Sequence, residues 1–133
     1  MSKCLMIVDD SPVMRSFVKR TLLAAGLEVD TCLEAGNGRD AREKLRALTP
    51  DRRIDLILTD INMPVLDGEG LLAELKRDTA LASIPVVVVS TDSTDQRVGT
   101  LMRLGASDYV RKPFPPERLS EVFSGIFPDW ANQ

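Results

Sequence analysis

The feature that most constrains the fold of this chain is a regular alternation of short apolar runs with longer segments of helical period. Three runs are almost continuously apolar, which is typical of strands buried on both faces of a parallel sheet. These runs are Leu5–Val8, Ile54–Leu58 and Ile84–Val89. Two weaker strand candidates, Glu28–Leu33 and Asp108–Arg111, bring the set to five.

Each candidate strand is followed by a segment in which apolar residues recur at helical spacing. In the first of these segments Ser11 is the expected N-cap, Pro12 takes the first helical position and Gly26 ends the helix. The apolar positions of the other four helices are Ala41, Leu45 and Leu48; Leu71, Leu72 and Leu75; Val98, Leu101 and Met102; and Leu119, Val122, Phe123 and Ile126. Their expected limits are Pro50 at the end of the second helix, Asp67 at the start of the third, Gly105 at the end of the fourth and Pro115–Pro116 at the start of the fifth.

Five strands that alternate with five helices predict an α/β fold in which a parallel sheet lies between two layers of helices. In open sheets of this kind the ligand crevice lies at the carboxyl ends of the strands. The chain has 133 residues, near the commonest size of one domain, and no linker-like stretch divides it. We therefore expect a single domain over residues 1–133, with its chemistry at one edge of the sheet.

Composition excludes several kinds of chemistry and of partner. The sequence contains no histidine, which removes Ser-His-Asp and Cys-His catalysis and histidine-ligated zinc. The formal net charge of -3 disfavours nucleic acid and anionic membranes as partners. Any catalysis must therefore use carboxylates, hydroxyls or lysine.

The sequence carries no signal for export and no membrane span. Met1–Val8 lacks the long apolar region and the cleavage site of a signal peptide, and Ile84–Val89 is too short to cross a bilayer. Cys4 and Cys32 lack the spacing of a metal or redox pair, so we interpret both as small core residues. These features predict a reduced, cytoplasmic protein.

Polar residues follow four of the predicted strands, at the edge where such sheets bind ligands. Asp9 and Asp10 follow the first strand, Asp60 the third, Ser90 the fourth and Lys112 the fifth. Each of them alone has an ordinary explanation as a helix cap, a loop brace, a turn or a solvated side chain. Their joint position indicates a site, because the carboxyl ends of parallel strands meet at one edge.

Three carboxylates in one crevice need compensating positive charge. At ~4 Å and an effective dielectric constant of about 20, each pair repels by ~4 kcal/mol, and Lys112 contributes one positive charge. A hard divalent cation meets the remaining need, and Mg²⁺ commonly binds one or two carboxylates together with a phosphate oxygen. Zinc is disfavoured because histidine is absent and no thiolate lies nearby in the sequence.

The same groups can carry a phosphoryl transfer. A carboxylate can act as the nucleophile toward phosphorus and form an aspartyl phosphate. The three phosphoryl oxygens then each need a positive or hydrogen-bonding partner. Mg²⁺ can take one oxygen, Lys112 the second, and Ser90 with backbone N–H groups the third.

Four motifs in this order resemble the receiver domain of two-component response regulators over about Cys4 to Ile126. They are Asp9-Asp10-Ser11; Asp60-Ile61-Asn62-Met63-Pro64 with Asp67-Gly68; Ser90-Thr91; and Tyr109-Val110-Arg111-Lys112-Pro113-Phe114. The resemblance implies a flavodoxin-like sheet of strand order 2-1-3-4-5, flanked by five helices.

The resemblance also implies the role of each acidic residue. Asp60 would be the phosphoacceptor, which receives its phosphoryl group from a phosphohistidine on a histidine kinase or phosphotransfer protein. Asp10 and Asp60 would bind Mg²⁺ through their carboxylates and Asn62 through its backbone carbonyl, while Asp9 would assist directly or through water.

A second group of implied roles concerns signal output. Lys112 would pair with the phosphoryl oxygens, aimed by a cis bond to Pro113. Ser90 and Tyr109 would be the switch residues, whose movement changes the face made by the fourth helix, fifth strand and fifth helix. Asn62 and Asp92 would tune the rate of dephosphorylation.

The resemblance predicts a signalling switch rather than a turnover enzyme, although such a protein catalyses its own phosphorylation and dephosphorylation. The fifth helix is expected to end near Phe127, so we expect no output domain, and the signal would leave through contact with an unknown protein target. The run from Asp10 to Arg15 is more similar to stand-alone chemotaxis-type receivers than to DNA-binding regulators. The sequence is compatible with a monomer or a phosphorylation-dependent dimer.

Two other functions compete with this one. The first is a Mg²⁺-dependent phosphohydrolase with an aspartyl-phosphate intermediate, similar to haloacid-dehalogenase-like enzymes. Those enzymes usually carry an acidic residue two places after the nucleophile as general acid, and here that position is Asn62. The second is a binding module that works without phosphorylation, which is weakened because the acid and lysine set is complete.

Overall fold

The computed structural model describes residues 3–48, 52–91, 94–112 and 114–128. Its strands are β1 (Lys3–Val8), β2 (Val29–Ala35), β3 (Leu56–Thr59), β4 (Val86–Ser90) and β5 (Asp108–Arg111). Its helices are α1 (Pro12–Ala24), α2 (Gly38–Arg46), α3 (Gly68–Arg77), α4 (Asp95–Arg103) and α5 (Pro116–Ile126). Within the described ranges, no helix has the length and apolar character that a membrane span requires.

The strands form one parallel sheet of order β2-β1-β3-β4-β5, which confirms the predicted fold. Strand limits differ from the apolar runs because pairing sets them. β2 continues past Leu33 to Ala35, since Ala35 pairs with Val8 at the end of β1. β3 begins at Leu56 rather than Ile54, and the preceding Asp55 carboxylate instead accepts a hydrogen bond from the Cys4 N–H at 2.9 Å.

Local sequence signals fix the start of the two helices nearest the carboxyl edge. The Ser11 hydroxyl accepts a hydrogen bond from the Met14 N–H, and Pro12 opens α1 as expected. The Asp67 carboxylate accepts a hydrogen bond from the Gly70 N–H and caps α3. Gly26 follows α1 with a φ of +78°, a left-handed conformation that favours glycine. Both helices therefore begin at residues that the local sequence sets.

Successive residues of the central strands point to opposite faces of the sheet, and both faces are covered. Leu5 and Ile7 lie in the core under α1 and α5, whereas Met6 and Val8 lie in the core under α2, α3 and α4. All four are at most 2% exposed. This double burial is why β1 is a continuous apolar run, and it leaves the carboxyl ends of the strands as the place for polar groups. Cys4 and Cys32 are free thiols and are only half-buried, so neither lies in the fully buried core.

Candidate functional site

Polar residues at the ends of β1 and β3 come together as the sequence predicted. The Asp9 N–H donates to the Ala35 carbonyl at 3.0 Å, and the Asp60 N–H donates to the Val8 carbonyl at 2.9 Å. These bonds continue the strand ladders by one residue and fix where both side chains begin. One carboxylate oxygen from each of Asp9, Asp10 and Asp60 lies within 4.8 Å of one from each of the others.

Lys112 bridges the acidic cluster from the far side of the crevice. Its Nζ lies 3.1 Å from Asp9 Oδ2 and 3.6 Å from Asp60 Oδ2, and its side chain is only 11% exposed. The Lys112 N–H also donates to the Ser90 carbonyl at 2.9 Å, which ties the end of β5 to the end of β4. The lysine is thus held by backbone bonding at its base and by two carboxylates at its tip.

Asp9 and Asp10 are neighbours in sequence but have different environments. Asp9 is 4% exposed; its Oδ1 accepts from the Ser11 N–H at 2.9 Å and its Oδ2 from Lys112. Asp10 is exposed at the mouth of the crevice. Both oxygens of Asp9 therefore have donors, while the Asp10 side chain is exposed to solvent.

The environment of the Asp60 carboxyl disfavours its ionised form. Burial raises the pKa of Asp60 above its usual range, and the nearby Asp9 carboxylate raises it further. Lys112 and a 2.7 Å hydrogen bond from the Ile61 N–H oppose this rise in pKa without cancelling it. A hard divalent cation would favour the ionised form of these carboxyls. The oxygen-only donor set of Asp9, Asp10 and Asp60 fits Mg²⁺.

The two predicted switch residues lie on adjacent strands. Ser90 ends β4 and is 1% exposed. Tyr109 is paired with Val88 in the ladder; its side chain is 8% exposed and packs in the core cluster that includes Leu101 and Ala106. The aromatic ring therefore lies inside the α4–β5 region in this structure.

The remaining site predictions concern loop residues. Asn62 is exposed in the β3–α3 loop, two residues beyond Asp60. Asp92 and Pro113 lie outside the described residues. Val65, in the same β3–α3 loop, is 72% exposed with a φ of +69°, a rare conformation for a β-branched residue. The roles of Asn62 and Asp92 in dephosphorylation, and the cis bond before Pro113, stay predictions.

Two residues that support the site were not singled out from the sequence. A Cβ on Gly68 would lie 2.2 Å from the Asp60 carbonyl oxygen, so only glycine lets α3 begin this close to Asp60. Arg15 lies on α1 and donates from its guanidinium to the Asp9 carbonyl and to the Glu34 carboxylate. The pattern Asp67-Gly68 was a visible signal for the first residue, whereas the Arg15 contacts depend on the distance between α1 and β2.

Comparison with known proteins agrees with this geometry. The family model described as "Response regulator receiver domain" matches residues 5–124. Among curated proteins, the chain is 37% identical over 117 residues to the chemotaxis protein CheY1 of Helicobacter pylori, covering 88% of this chain and 90% of that protein.

Solved structures show the same similarity. The chemotaxis response regulator CheY4 of Vibrio cholerae superposes with a TM-score of 0.80 at 28% identity, covering 96% of this chain and 100% of that one. A phosphorylated cyanobacterial phytochrome response regulator, RcpA, superposes with a TM-score of 0.78 at 28% identity, covering 98% and 94%.

Proposed function

The chain belongs to the family of response regulator receiver domains of two-component systems, and on that premise we propose that it is a signalling switch phosphorylated on Asp60. The observation that carries the proposal is a cluster of three carboxylates at the carboxyl edge of the sheet, two of which contact Lys112. A cluster with excess negative charge and a partly buried nucleophile is a functional arrangement, because it costs stability unless a ligand compensates it.

The proposed transfer begins with a phosphohistidine on a kinase or phosphotransfer protein. A carboxylate oxygen of Asp60 forms the new O–P bond as the N–P bond of the donor breaks, and the electron pair of that bond stays on the donor imidazole. Asp60 Oδ1 is held by the Ile61 N–H, and Lys112 lies on the side of Oδ2. When bound by Asp10, Asp60 and the Asn62 carbonyl, Mg²⁺ would neutralise charge on the phosphoryl oxygens.

The chain's own residues would then hold the aspartyl phosphate. Lys112 is close enough to exchange its ion pair with Asp60 for one with a phosphoryl oxygen. Ser90 ends the neighbouring strand, and its backbone carbonyl is already bonded to Lys112. We assign its hydroxyl to a further phosphoryl oxygen, and Asp9 would assist at the metal directly or through water.

The output face of the switch is proposed to be α4, β5 and α5. A surface cavity of about 560 Å³ lies there, lined in part by Val98, Met102, Tyr109 and Arg118. Tyr109 connects this face to β4 through its pairing with Val88. A movement of Ser90 toward a phosphoryl group would therefore reach the cavity through adjacent ladder residues and change the affinity for a protein target.

A chemotaxis-type pathway is the proposed setting. The curated relative that is named a chemotaxis protein aligns over 90% of its own length, so the similarity covers nearly all of that protein.

Exposed apolar residues flank the crevice, with Val13 at 74% in the first turn of α1 and Val65 at 72% in the β3–α3 loop. These side chains suit contact with a protein phosphodonor.

The test is incubation of the purified chain with acetyl phosphate and Mg²⁺, followed by intact-mass measurement. One phosphoryl group should be added to the wild type and none to Asp60→Asn. Asp67→Asn is the matched control, because it makes the same chemical change while asparagine still caps α3, and it should be phosphorylated normally. An adduct on Asp60→Asn would contradict the assignment, and turnover of phosphomonoesters would favour the phosphohydrolase.

A further inference from the structure

We propose that Arg15 is a positioning residue for the divalent-cation site, holding the Asp9–Asp10 turn in the conformation that metal binding requires. The proposal rests on the proposed function, since it concerns the same site. Arg15 lies in the first turns of α1 and is 17% exposed, well below the exposure of an ordinary surface arginine. Its guanidinium contacts the main chain of the acidic cluster rather than a carboxylate of that cluster.

The guanidinium makes two directed bonds. Its Nε donates to Glu34 Oε1 at 2.9 Å, and one terminal nitrogen donates to the Asp9 carbonyl oxygen at 2.5 Å. A planar guanidinium fixes the direction of both bonds together, which a lysine ammonium does not. Arg15 thus joins the end of β2 to the turn that follows β1.

A hydrogen bond to the Asp9 carbonyl also restrains the backbone of Asp10. This carbonyl belongs to the planar peptide unit that contains the Asp10 nitrogen, so holding its oxygen also fixes the orientation of the Asp10 backbone. The Asp9 side chain has its own donors in Ser11 and Lys112, whereas the Asp10 side chain is exposed. The Arg15 bond is therefore a restraint on the direction from which Asp10 offers its carboxylate.

Glu34 in turn holds Arg15 in place. Its two oxygens accept from Arg15 and from Lys19, each at 2.9 Å. Hydrogen bonds from Lys19 and Arg15 hold the pKa of the Glu34 carboxyl below its usual range, so it stays ionised around neutral pH. Glu34 is also paired with Ile7 in the β1–β2 ladder, which anchors the whole arrangement on the sheet.

Charge and position predict opposite effects when Arg15 is removed. If Arg15 acted only through its positive charge, its loss would reduce repulsion of an entering cation and Mg²⁺ would bind more tightly. If it acts by positioning the turn, Mg²⁺ binds more weakly, and a lysine in its place does not restore binding. The direction of the change therefore separates the two roles.

The experiment measures the Mg²⁺ dissociation constant by isothermal titration calorimetry, with no phosphodonor present. We expect Arg15→Met and Arg15→Lys each to raise this constant about tenfold, the lower end of what outer-shell partners of metal ligands contribute. Lys19→Met is the matched control, because Lys19 shares Glu34 but has no bond to Asp9, and it should change the constant less than about twofold. Glu34→Gln, which weakens the hold on Arg15, should fall between them.

Thermal unfolding with EDTA and with saturating Mg²⁺ separates positioning from plain stability. A positioning role predicts that the rise in melting temperature on adding Mg²⁺ is smaller in Arg15→Lys than in the wild type. Tighter or unchanged Mg²⁺ binding in both Arg15 variants would overturn the inference while leaving the proposed function standing. No Mg²⁺ binding by the wild type would overturn both the inference and the proposed function. If Arg15→Met does not fold, the dissociation constants of Arg15→Lys and Glu34→Gln test the inference.

Discussion

Two groups of partly buried charges in this molecule differ in how each charge is compensated. At the carboxyl edge of the sheet, Asp9, Asp10 and Asp60 form one cluster, and Lys112 contacts Asp9 and Asp60. On the helical layer of α2, α3 and α4, charges of opposite sign meet one to one, with Arg42 2.7 Å from Glu74 and Arg97 2.8 Å from Glu69. The edge is the more deeply buried region and also the less balanced one.

The difference separates charges that are balanced within the fold from a cluster that a proposed cation would compensate. Lys112 and Asp9 have side chains 11% and 6% exposed, against 26% and 30% for Arg42 and Glu74. Burying excess negative charge costs stability, so its presence indicates a cation that completes the site. Pairs on the helices balance themselves and are expected to contribute modestly to the fold. Removing one acid should therefore have opposite effects in the two regions.

The largest expected effect comes from disturbing the edge without changing its charge. In Gly68→Ala the added Cβ would lie 2.2 Å from the Asp60 carbonyl, so α3 or the Asp60 backbone must move. We expect a loss of about 3 kcal/mol in the free energy of unfolding and slower phosphorylation by acetyl phosphate. Urea unfolding and intact-mass kinetics measure the two effects.

Gly125→Ala is the control for this prediction. A Cβ on Gly125 would meet nothing within 4 Å, and the residue lies inside α5. Alanine is the better helix former, so this variant should gain about 0.5–1 kcal/mol. Equal stability of the two variants would show that the close approach of α3 to Asp60 is not required.

The carboxyl edge was also the region best predicted from sequence. The positions of Asp9, Asp60, Ser90 and Lys112 follow from strand order and from the rule that ligand crevices lie at carboxyl ends, because each residue lies at or just after the end of a predicted strand. Likewise the caps at Ser11 and Asp67 depend on three or four neighbouring residues, so local signals suffice.

Contacts between distant segments could not be predicted in this way. Arg15 and Glu34 are 19 residues apart and meet only because α1 lies over β2. The pairs Arg42–Glu74 and Arg97–Glu69 depend similarly on how neighbouring helices pack. Charged residues on helix surfaces carry no periodic signal for their partner, so the sequence identifies an exposed charge and the fold alone decides what it contacts.

The second prediction tests the sign of the effect at the edge. Asp60→Asn should raise the free energy of unfolding at pH 7 in EDTA, because it removes a carboxylate whose pKa burial has raised. The folded wild type binds the Asp60 proton more tightly than the unfolded chain. The stabilisation that the wild type gains from this proton is therefore fully present below the pKa that Asp60 has in the unfolded chain. It is lost as pH rises through the pKa that Asp60 has in the folded protein.

The advantage of Asp60→Asn over the wild type should accordingly shrink as pH falls from 7 toward 4. Urea unfolding at several pH values measures this trend. Asp67→Asn should change stability by less than about 0.5 kcal/mol at each pH, because the N-cap is kept. Destabilisation by Asp60→Asn at pH 7 would mean that Lys112 compensates the cluster fully.

The third prediction makes the matching change on the helical layer. Glu74→Gln should lower the free energy of unfolding by about 1 kcal/mol at pH 7, since it leaves the partly buried Arg42 without its 2.7 Å carboxylate partner. This change in the free energy of unfolding has the opposite sign to the one expected for Asp60→Asn. A stabilising Glu74→Gln would show that the balance of charges does not distinguish the two regions.

The smallest effect is expected at an ion pair that is exposed to solvent rather than partly buried. Arg39 and Glu43 lie 3.3 Å apart on the outer side of α2, with side chains 64% and 61% exposed. An exposed pair at this spacing contributes about 0.3–0.5 kcal/mol to the free energy of unfolding. Arg39 also lies in the first turn of α2, where the helix dipole disfavours a positive charge by a similar amount. Arg39→Gln should therefore change the free energy of unfolding by less than about 0.5 kcal/mol. In 1 M salt the Debye length is about 3 Å, so exposed charges are largely screened. Urea unfolding under this condition should give the variant and the wild type the same free energy of unfolding. A loss comparable to that of Glu74→Gln would mean that burial does not determine what an ion pair contributes in this fold.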